Sequence, residues 1–381
     1  MQPRVLILSA SVGAGHLRAA EAVELALKKV APDVEVHNRD VLDFTNVVFR
    51  RMYSNAYLDL VNYFPHFVGY FYDWMEGTSA AGGEPPRKRD KLRMAVQKLN
   101  LRSFVSYLTD EHWDLVINCH FLPAELIAML RQRGELTLPQ VTVCTDFDTH
   151  RLWINQPCDH YFCATDEGSL HLQHFGVPAA DISVTGIPID PVFATPADRA
   201  TCLRAQGLVG DRPVLLQLCG GFGVGPVEAV YRGLLDVEVP SEIAVVCGRN
   251  EALKTALEKL PQPQRHRVKI IGLTRQIDQL MGCADLIISK PGGLTTSEIL
   301  ARGAPMVIVN PIPGQESRNS DYLLENGAAV KVNHACVLSA KVTQLLKEPE
   351  RLASLRAAAR RLGHPQAAFD VARRSLAVIG R

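Results

Sequence analysis

The sequence contains one local pattern twice: an apolar strand, a glycine-rich turn and then a helix. The first copy runs through VLILSAS, a turn with Gly13 and Gly15, and LRAAEAVELALKKV, whose apolar residues recur at helical spacing. The second runs through PVLLQLC, a glycine-rich turn at residues 220–225, and VEAVYRGLLD. Both are typical of a βα unit, in which strands buried on both faces are almost entirely apolar. The repetition therefore predicts two similar α/β domains.

Further apolar runs predict a parallel sheet in each half. They are DLVINC and PQVTVCT in the first half, and EIAVVCG, VKIIG, ADLIIS and PMVIVN in the second. Residues 188–213 contain several prolines and little periodicity, so we predict the interdomain linker there and a domain boundary at residue 188. The fold class is then α/β, with two Rossmann-like domains facing across a cleft. Ligands of such folds bind at the carboxyl ends of the strands.

Composition limits the partners and the compartment. The chain has 41 Lys and Arg against 40 Asp and Glu, a formal charge of +1, and so lacks the basic excess of a nucleic-acid-binding protein. Nine cysteines without a CxxC pair indicate reduced thiols and a cytoplasmic protein. No segment approaches the roughly 20 apolar residues that span a bilayer. We expect no nucleic-acid partner, and any membrane contact should be peripheral.

An aromatic segment and a basic segment fit neither predicted sheet. Residues 46–76 are rich in Tyr and Phe, and residues 85–104 hold seven Lys or Arg and a single acidic residue. This pairing is typical of an interfacial membrane contact, where rings lie at headgroup level and cations meet anionic lipid. The alternative is that the rings belong to the core and the charges to a solvated helix face. The candidate membrane-contact residues are Tyr63, Phe64, Phe67, Trp74, Arg87, Lys88 and Arg89.

The first glycine turn brings a histidine toward the predicted cleft. Gly15 lets the backbone pass close to a ligand, and His16 stands at the N-terminus of a helix, whose dipole favours the neutral imidazole. A histidine in that position can act as a general base near neutral pH. The alternative is a residue that merely caps the helix or packs against it.

A second polar set follows the strand PQVTVCT. Its members are Asp146, Asp148, His150 and Trp153. The two carboxylates and the histidine allow a metal site as one interpretation, but clefts that bind sugars have the same composition. We therefore expect no metal.

The most specific motif, SKPGGLTTSE at residues 289–298, follows the strand ADLIIS. Amides of a glycine turn and of a helix N-terminus form an anion cradle that suits phosphates, and the threonine hydroxyls can add hydrogen bonds. Glu298, one turn into the helix, could accept hydrogen bonds from ribose. The alternative is a capping box made by Thr, Ser and Glu. After the next strand, residues 314–319 offer Gln, Glu and Asn side chains that suit a polyhydroxylated sugar, or form an ordinary polar loop.

Taken together, these motifs resemble the bacterial processive diacylglycerol glucosyltransferases and the monogalactosyldiacylglycerol synthases of plants. The resemblance covers nearly the whole chain and rests on GAGHLRAAEA, TDFDTHRLWI, TGIPIDP, KPGGLTTSE and PGQESRN. It implies an inverting glycosyltransferase of the GT-B fold that needs no metal or other cofactor. The first domain, residues 1–187 with a returning C-terminal helix at 366–381, would admit a lipid acceptor. The second, residues 188–365, would bind a UDP-hexose.

The resemblance also implies roles for individual residues. His16 becomes the favoured base, with Asp146 as its competitor, and Gly15 and Trp153 would lie on the acceptor side. The implied donor contacts are the diphosphate at Gly292, Gly293, Leu294, Thr295 and Thr296, ribose at Glu298, the sugar at Gln315, Glu316 and Asn319, uracil at Gly272 and Leu273, and the second glycine loop at Gly221. The acceptor would be diacylglycerol or a related glycolipid, reached at the anionic inner face of the cell membrane.

Two other functions fit part of these observations. A UDP-N-acetylglucosamine 2-epimerase shares the two-domain fold, but the aromatic and basic segments argue against it. A membrane-surface protein that senses a nucleotide sugar without turning it over would not need both His16 and Asp146. The motifs leave glucose and galactose open as the transferred hexose.

Overall fold

The computed structural model describes residues 2–11, 14–45, 102–220 and 225–381. The predicted membrane-contact residues Tyr63, Phe64, Phe67, Trp74, Arg87, Lys88 and Arg89, together with Gly221, lie outside the described residues. The chain divides into two compact units. Unit 1 comprises Met1–Pro191, Pro313–Gln315 and Gln366–Arg381, and unit 2 comprises Val192–Ile312 and Glu316–Pro365. The boundary predicted at residue 188 lies just before this division.

Unit 1 contains a six-stranded parallel sheet with the order β2-β1-β3-β4-β5-β6. The four inner strands are almost wholly buried, whereas β2 and β6 form the edges and carry more polar or exposed residues. The strands are β1 (Arg4–Ser9), β2 (Glu35–Asp40), β3 (Leu115–Asn118), β4 (Gln140–Val143), β5 (His160–Cys163) and β6 (Ile182–Val184).

The described helices of unit 1 cover both faces of this sheet. They are α1 (Ala14–Val30), α2 (Arg102–Asp110), α3 (Phe121–Gln132), α4 (Asp166–His174) and, at the end of the chain, α13 (Ala367–Val378). Helix α13 packs on α1, and its Val371 and Ala372 join Val23 and Leu27 of α1 in one apolar cluster on the sheet. The small alanines on both helices allow this close packing.

Unit 2 contains a second six-stranded parallel sheet, with the order β12-β11-β10-β7-β8-β9. This is the strand order of the dinucleotide-binding Rossmann fold, so the α/β class predicted from the repeated pattern is confirmed. The strands are β7 (Val214–Leu218), β8 (Glu242–Val246), β9 (Arg267–Ile271), β10 (Leu286–Ser289), β11 (Met306–Val309) and β12 (Ala329–Val332).

Eight helices are described in unit 2: α5 (Arg199–Ala205), α6 (Val227–Leu235), α7 (Glu251–Glu258), α8 (Ile277–Cys283), α9 (Gly293–Ala301), α10 (Gln315–Glu325), α11 (Leu338–Lys347) and α12 (Pro349–Leu362). The prediction that residues 188–213 are only a linker is wrong, because α5 lies within them and packs on α8. Its start is set by Asp198, which caps the helix by accepting a hydrogen bond from the Thr201 N–H. Within the described ranges, none of the helices combines the length and the apolar character needed to cross a bilayer.

Gly363 allows the chain that follows α12 to pass against the end of α9. A Cβ atom at this position would lie 2.5 Å from the carbonyl oxygen of Leu300, a backbone atom that cannot move aside alone. We therefore expect Gly363→Ala to lower the free energy of unfolding by about 2–3 kcal/mol through overpacking, measured by chemical denaturation. Gly134→Ala is the control, since its Cβ meets nothing within 4 Å and only the left-handed backbone is strained. A loss at Gly363 no larger than the control's would contradict the steric argument.

Candidate active site

Unit 1 has its topological switch point between the neighbouring strands β1 and β3. From β1 the chain continues to β2 on one side, and from β3 it continues to β4 on the other side. Helix α1 begins soon after β1, and α3 begins soon after β3. In open α/β sheets the crevice at such a point is the usual ligand site. The residues after these two strands, His16 on α1 and Cys119 and His120 before α3, are therefore the first to consider.

His16 is held through one ring nitrogen. Its Nδ1 lies 3.2 Å from the carbonyl oxygen of Cys119 and 2.8 Å from Oγ1 of Thr145. Because a carbonyl can only accept, the Cys119 contact favours the neutral tautomer with the proton on Nδ1 and the lone pair on Nε2, and Thr145 Oγ1 can then act as a second acceptor. Burial lowers the pKa of His16, and the nearby His150 acts in the same direction, against the charge of Asp146 and the Cys119 bond. His16 is therefore a neutral, oriented base at physiological pH.

Asp146 is held by two donors. Trp153 Nε1 donates to its Oδ2 at 2.9 Å, and His150 Nε2 lies 3.3 Å from the same oxygen. Burial acts to raise the pKa of Asp146, but the bonds from His150 and Trp153 and the charges of His150 and His16 outweigh it, and the net pKa is lowered. Asp146 thus persists as a carboxylate and is a weaker base than His16.

Aromatic rings surround the two catalytic candidates. The Trp153 ring is fully buried and lies 6.1 Å from that of His16 and 5.8 Å from that of His150. The His120 ring lies 4.6 Å from His16 in an edge-to-face arrangement. His16, Asp146 and Trp153 are predicted from the sequence, whereas Thr145 and His120 are not. Their signal was available, since His120 directly follows the predicted strand DLVINC and Thr145 ends the predicted strand PQVTVCT.

The stability of unit 1 is expected to fall as the pH drops below about 6.5, the ordinary histidine value. Burial lowers the pKa of His16 and His120, and lowers that of His160 to about 4. Because the unfolded chain takes up these protons first, each histidine contributes stability that is fully present above about 6.5 and is lost as the pH falls toward its folded value. Urea midpoints between pH 7.5 and 5 measure this.

The control for this pH dependence is His160→Gln. This substitution removes one buried histidine and leaves His16 in place. Its midpoint should vary less steeply with pH than that of the native chain between pH 4 and 6.5. Parallel curves for the two proteins would contradict the assignment.

In unit 2 the predicted phosphate motif forms the turn between β10 and α9. Gly292 is the N-cap residue of α9, with φ −66° and ψ 141°, and no side chain caps the helix. The alternative of a capping box is therefore wrong. Among the residues that the structure describes, no side chain bonds to the first-turn N–H groups at this end, as an anion cradle requires. Thr296 Oγ1 is buried and has no hydrogen-bond partner among the described residues.

Helix α10 is bonded to this turn through Asn319 and to the segment before its own start through Glu316. Asn319 Nδ2 donates to the carbonyl oxygen of Pro291 at 2.9 Å, which ties α10 to the phosphate motif. Glu316 Oε2 accepts a hydrogen bond from the Ile312 N–H at 2.8 Å. Burial raises the pKa of Glu316, opposed by Lys290 and by the Ile312 bond. Within the described part of the chain, Gln315 Oε1 and Asn319 Oδ1 have no hydrogen-bond partner.

A small, partly open cavity lies at the carboxyl ends of β7, β10 and β11. Lys290 and Asn310 line it together with Gln217 and the start of α6. Strands β7 and β10 are adjacent at the switch point of this sheet, so the cavity occupies the expected ligand position within unit 2. Asn310 has a positive φ of 46°, an uncommon conformation that asparagine tolerates better than most residues.

The remaining predicted donor residues lie in different surroundings. Leu273 is 68% exposed after β9, as a platform for a flat base would be. A Cβ at Gly272 beside it would lie 2.9 Å from Glu251 Oε1, the movable end of an exposed side chain. Leu294 is buried on α9 and Thr295 is half-buried. Glu298 is only 1% exposed, so a ribose would reach its carboxylate only after a change of rotamer.

In the parts of the chain that the structure describes, no three His, Cys, Asp or Glu side chains are arranged to hold a metal ion. All nine cysteines are described and are free thiols. The expectation of a metal-free reaction stays a prediction.

Comparisons with known proteins agree with the family resemblance of the sequence motifs. Residues 16–189 match the family of monogalactosyldiacylglycerol (MGDG) synthase, and residues 227–371 match the glycosyltransferase family 28 C-terminal domain. A processive diacylglycerol beta-glucosyltransferase of Bacillus pumilus is 31% identical over 356 residues, which cover 93% of this chain and 89% of the relative.

Two solved structures share the fold at low sequence identity. MurG of Acinetobacter baumannii is 17% identical with a TM-score of 0.63, over 98% of this chain and 99% of MurG. UDP-GlcNAc 2-epimerase of Neisseria meningitidis, bound to UDP-GlcNAc, is 14% identical with a TM-score of 0.58, again over 98% and 99%. These likenesses define the fold and do not separate a transferase from an epimerase.

Two Rossmann-like units define the GT-B fold, and the histidine of the first and the uncapped glycine turn of the second are compatible with a glycosyltransferase of that fold. The family within this fold is identified by the likeness to the Bacillus pumilus enzyme, which covers most of both chains, and by the two family matches. The chain belongs to the diacylglycerol glycosyltransferases of glycosyltransferase family 28.

Proposed function

We propose that this protein transfers a hexose from a UDP-sugar to diacylglycerol or a related membrane glycolipid, with inversion at the anomeric carbon. The observation that carries the proposal is His16, whose Nδ1 is fixed by Cys119 and whose Nε2 holds the lone pair of a neutral base. An inverting transfer needs one such base on the acceptor side. The relatives of the chain act on diacylglycerol according to their names, which supports this acceptor.

The reaction follows as a single displacement. His16 Nε2 takes the proton of the acceptor hydroxyl while that oxygen forms a bond to the anomeric carbon and the bond from this carbon to UDP breaks. The negative charge of Asp146 stabilises the imidazolium that results, since it already acts to raise the pKa of His16. Trp153 and His150 keep the Asp146 carboxylate in place for this role.

Unit 2 supplies the donor side of the same reaction. The amides of Gly293, Leu294 and Thr295 and the dipole of α9 would stabilise the departing diphosphate without a metal ion. Gln315, Glu316 and Asn319 would bind the sugar hydroxyls, with the uracil on Leu273. We propose Glu298 as the ribose ligand, in a side-chain rotamer different from the buried one in this structure.

An enzyme that acts on a membrane-embedded acceptor must bind to the membrane surface. The aromatic and basic residues at 46–104 have the composition of such a contact, and we propose that they dock the protein on the anionic inner face of the cell membrane from the cytoplasm. Vesicle flotation with and without anionic lipid tests this part separately.

The deciding experiment measures UDP release by the purified full chain on vesicles that contain diacylglycerol and anionic lipid. UDP-glucose, UDP-galactose and UDP-N-acetylglucosamine are run in parallel, with EDTA throughout. We expect release that depends on diacylglycerol with one hexose donor and that EDTA leaves unchanged. Lipid-independent conversion of UDP-N-acetylglucosamine would instead identify an epimerase, and donor binding without turnover a sensor.

A further inference from the structure

His120 lies beside His16 and has no part in the reaction proposed above. It follows β3 and is the N-cap residue of α3, where its Nδ1 accepts a hydrogen bond from the Leu122 N–H at 3.0 Å. An acceptor nitrogen carries no proton, so the neutral His120 ring is protonated on Nε2. The side chain is 2% exposed, and histidine is not among the residues that usually cap helices. A cap alone does not explain this residue.

The backbone next to His120 carries the acceptor that orients His16. The Cys119 N–H donates to the Leu8 carbonyl at 2.7 Å, which ties the peptide before Cys119 to β1. The peptide after Cys119 leads into His120, whose cap bond ties it to the start of α3. The Cys119 carbonyl belongs to this second peptide and lies 3.2 Å from His16 Nδ1. It is therefore flanked by these two hydrogen bonds, one of which the His120 side chain makes.

The His120 ring also covers His16. The two ring centroids are 4.6 Å apart with planes at 79°, and Phe121 lies 4.2 Å from His120 on another side. The titratable groups that act on His16 are Asp146 and His150, and those that act on His120 are His16 and His150. Burial raises the pKa of the Cys119 thiol to about 12, so it adds no charge. Burial likewise lowers the pKa of His120, which keeps a second positive charge away from His16.

We propose that His120 is a positioning residue for His16: its cap bond aims the Cys119 carbonyl at Nδ1, and its ring shields the imidazole from water. The inference rests on the proposed role of His16 as the base. It assigns a function to a residue that touches neither substrate.

Two substitutions separate the two parts of the proposal. His120→Asn keeps a good capping side chain and removes the ring. His120→Phe keeps a ring and removes the cap acceptor. His174→Asn, at an exposed site on α4, is the matched control. The native and variant full chains are compared by thermal unfolding first, so that only folded proteins enter the next measurements.

The first readout is the titration of His16 by NMR on protein with isotope-labelled histidine, with the signal identified by its loss in His16→Gln. In His120→Asn we expect the pKa of His16 to rise toward the ordinary value of about 6.5 because shielding is lost. In His120→Phe we expect the proton of neutral His16 to be shared between Nδ1 and Nε2, because the released Cys119 carbonyl no longer holds it on Nδ1. An unchanged titration and tautomer in both variants would overturn the proposal.

The second readout is turnover. In His120→Asn kcat should fall by about 10- to 100-fold with the KM for UDP-sugar unchanged, and the acid limb of the pH profile should move to higher pH. A rise in KM alone would overturn a positioning role. If His16→Gln keeps native turnover, the proposed base is wrong, and the NMR titration still decides whether His120 positions His16.

Discussion

Replacement of His16 by Gln is expected to lower kcat by about 10²- to 10⁴-fold. Gln has a similar length and stays polar, but it cannot accept the proton that the acceptor hydroxyl must lose. The donor residues belong to unit 2, so calorimetric binding of UDP should remain at the native value. UDP release on diacylglycerol vesicles gives kcat, and the pH profile of the variant should lack the acid limb that the imidazole produces in the native enzyme.

Asp146→Asn is the informative comparison for this variant. Asn keeps an oxygen that can accept from Trp153 and removes only the charge that stabilises the imidazolium. We expect a smaller loss of kcat than in His16→Gln, together with an acid limb at lower pH because the pKa of His16 falls further. A larger loss in Asp146→Asn, with His16→Gln close to native, would make Asp146 the base.

Asn319→Asp is expected to weaken UDP-sugar binding by roughly 10- to 100-fold. The substitution removes the hydrogen bond to the Pro291 carbonyl and places a buried carboxylate against that oxygen. A buried polar group that loses its partner costs about 1–3 kcal/mol, and more when it is charged, which corresponds to this loss at about 1.4 kcal/mol per tenfold. The glycine turn that cradles the diphosphate would no longer be held by α10. Calorimetry with UDP and UDP-glucose measures the effect.

Helix α10 offers a matched control at its other end. Asn326 Nδ2 donates to the Tyr322 carbonyl at 2.9 Å, so Asn326→Asp makes the same chemical change one residue past the end of α10. It should lower thermal stability with little change in nucleotide affinity. Equal losses of affinity in Asn319→Asp and Asn326→Asp would show that general destabilisation, rather than the brace on Pro291, accounts for the result.

The sequence was sufficient for the inner strands of both sheets except β5, but not for most of the edges. Strands such as β1, β7 and β10 are buried on both faces, so their runs of Val, Ile and Leu are visible without a structure. Strand β2 reads EVHNRD, because an edge strand is partly solvated and needs few apolar residues. Helix α5 was missed for a similar reason, since only its Cys202 is buried.

In the candidate active site, the sequence identified the chemical groups but not most of the contacts between them. His16 and Asp146 were selected because each follows a strand in a glycine-rich or polar segment. The partners of His16 come from other strand ends: the Cys119 carbonyl follows β3, 103 positions along the chain. Asp146 instead finds His150 and Trp153 in its own segment. Neighbours of this kind depend on strand order, which places β3 beside β1, and local patterns carry no information on that order.

The packing of α13 on α1 bears on how the protein is made. The apolar face of α1 is complete only when Val371, Ala372 and Leu376 have been synthesised, because these residues belong to the same cluster as Val23 and Leu27. All of unit 2 lies between the first and the last segments of unit 1 in the chain. A nascent chain on the ribosome therefore completes unit 2 before unit 1, which reverses the usual N-terminal-first order of cotranslational folding.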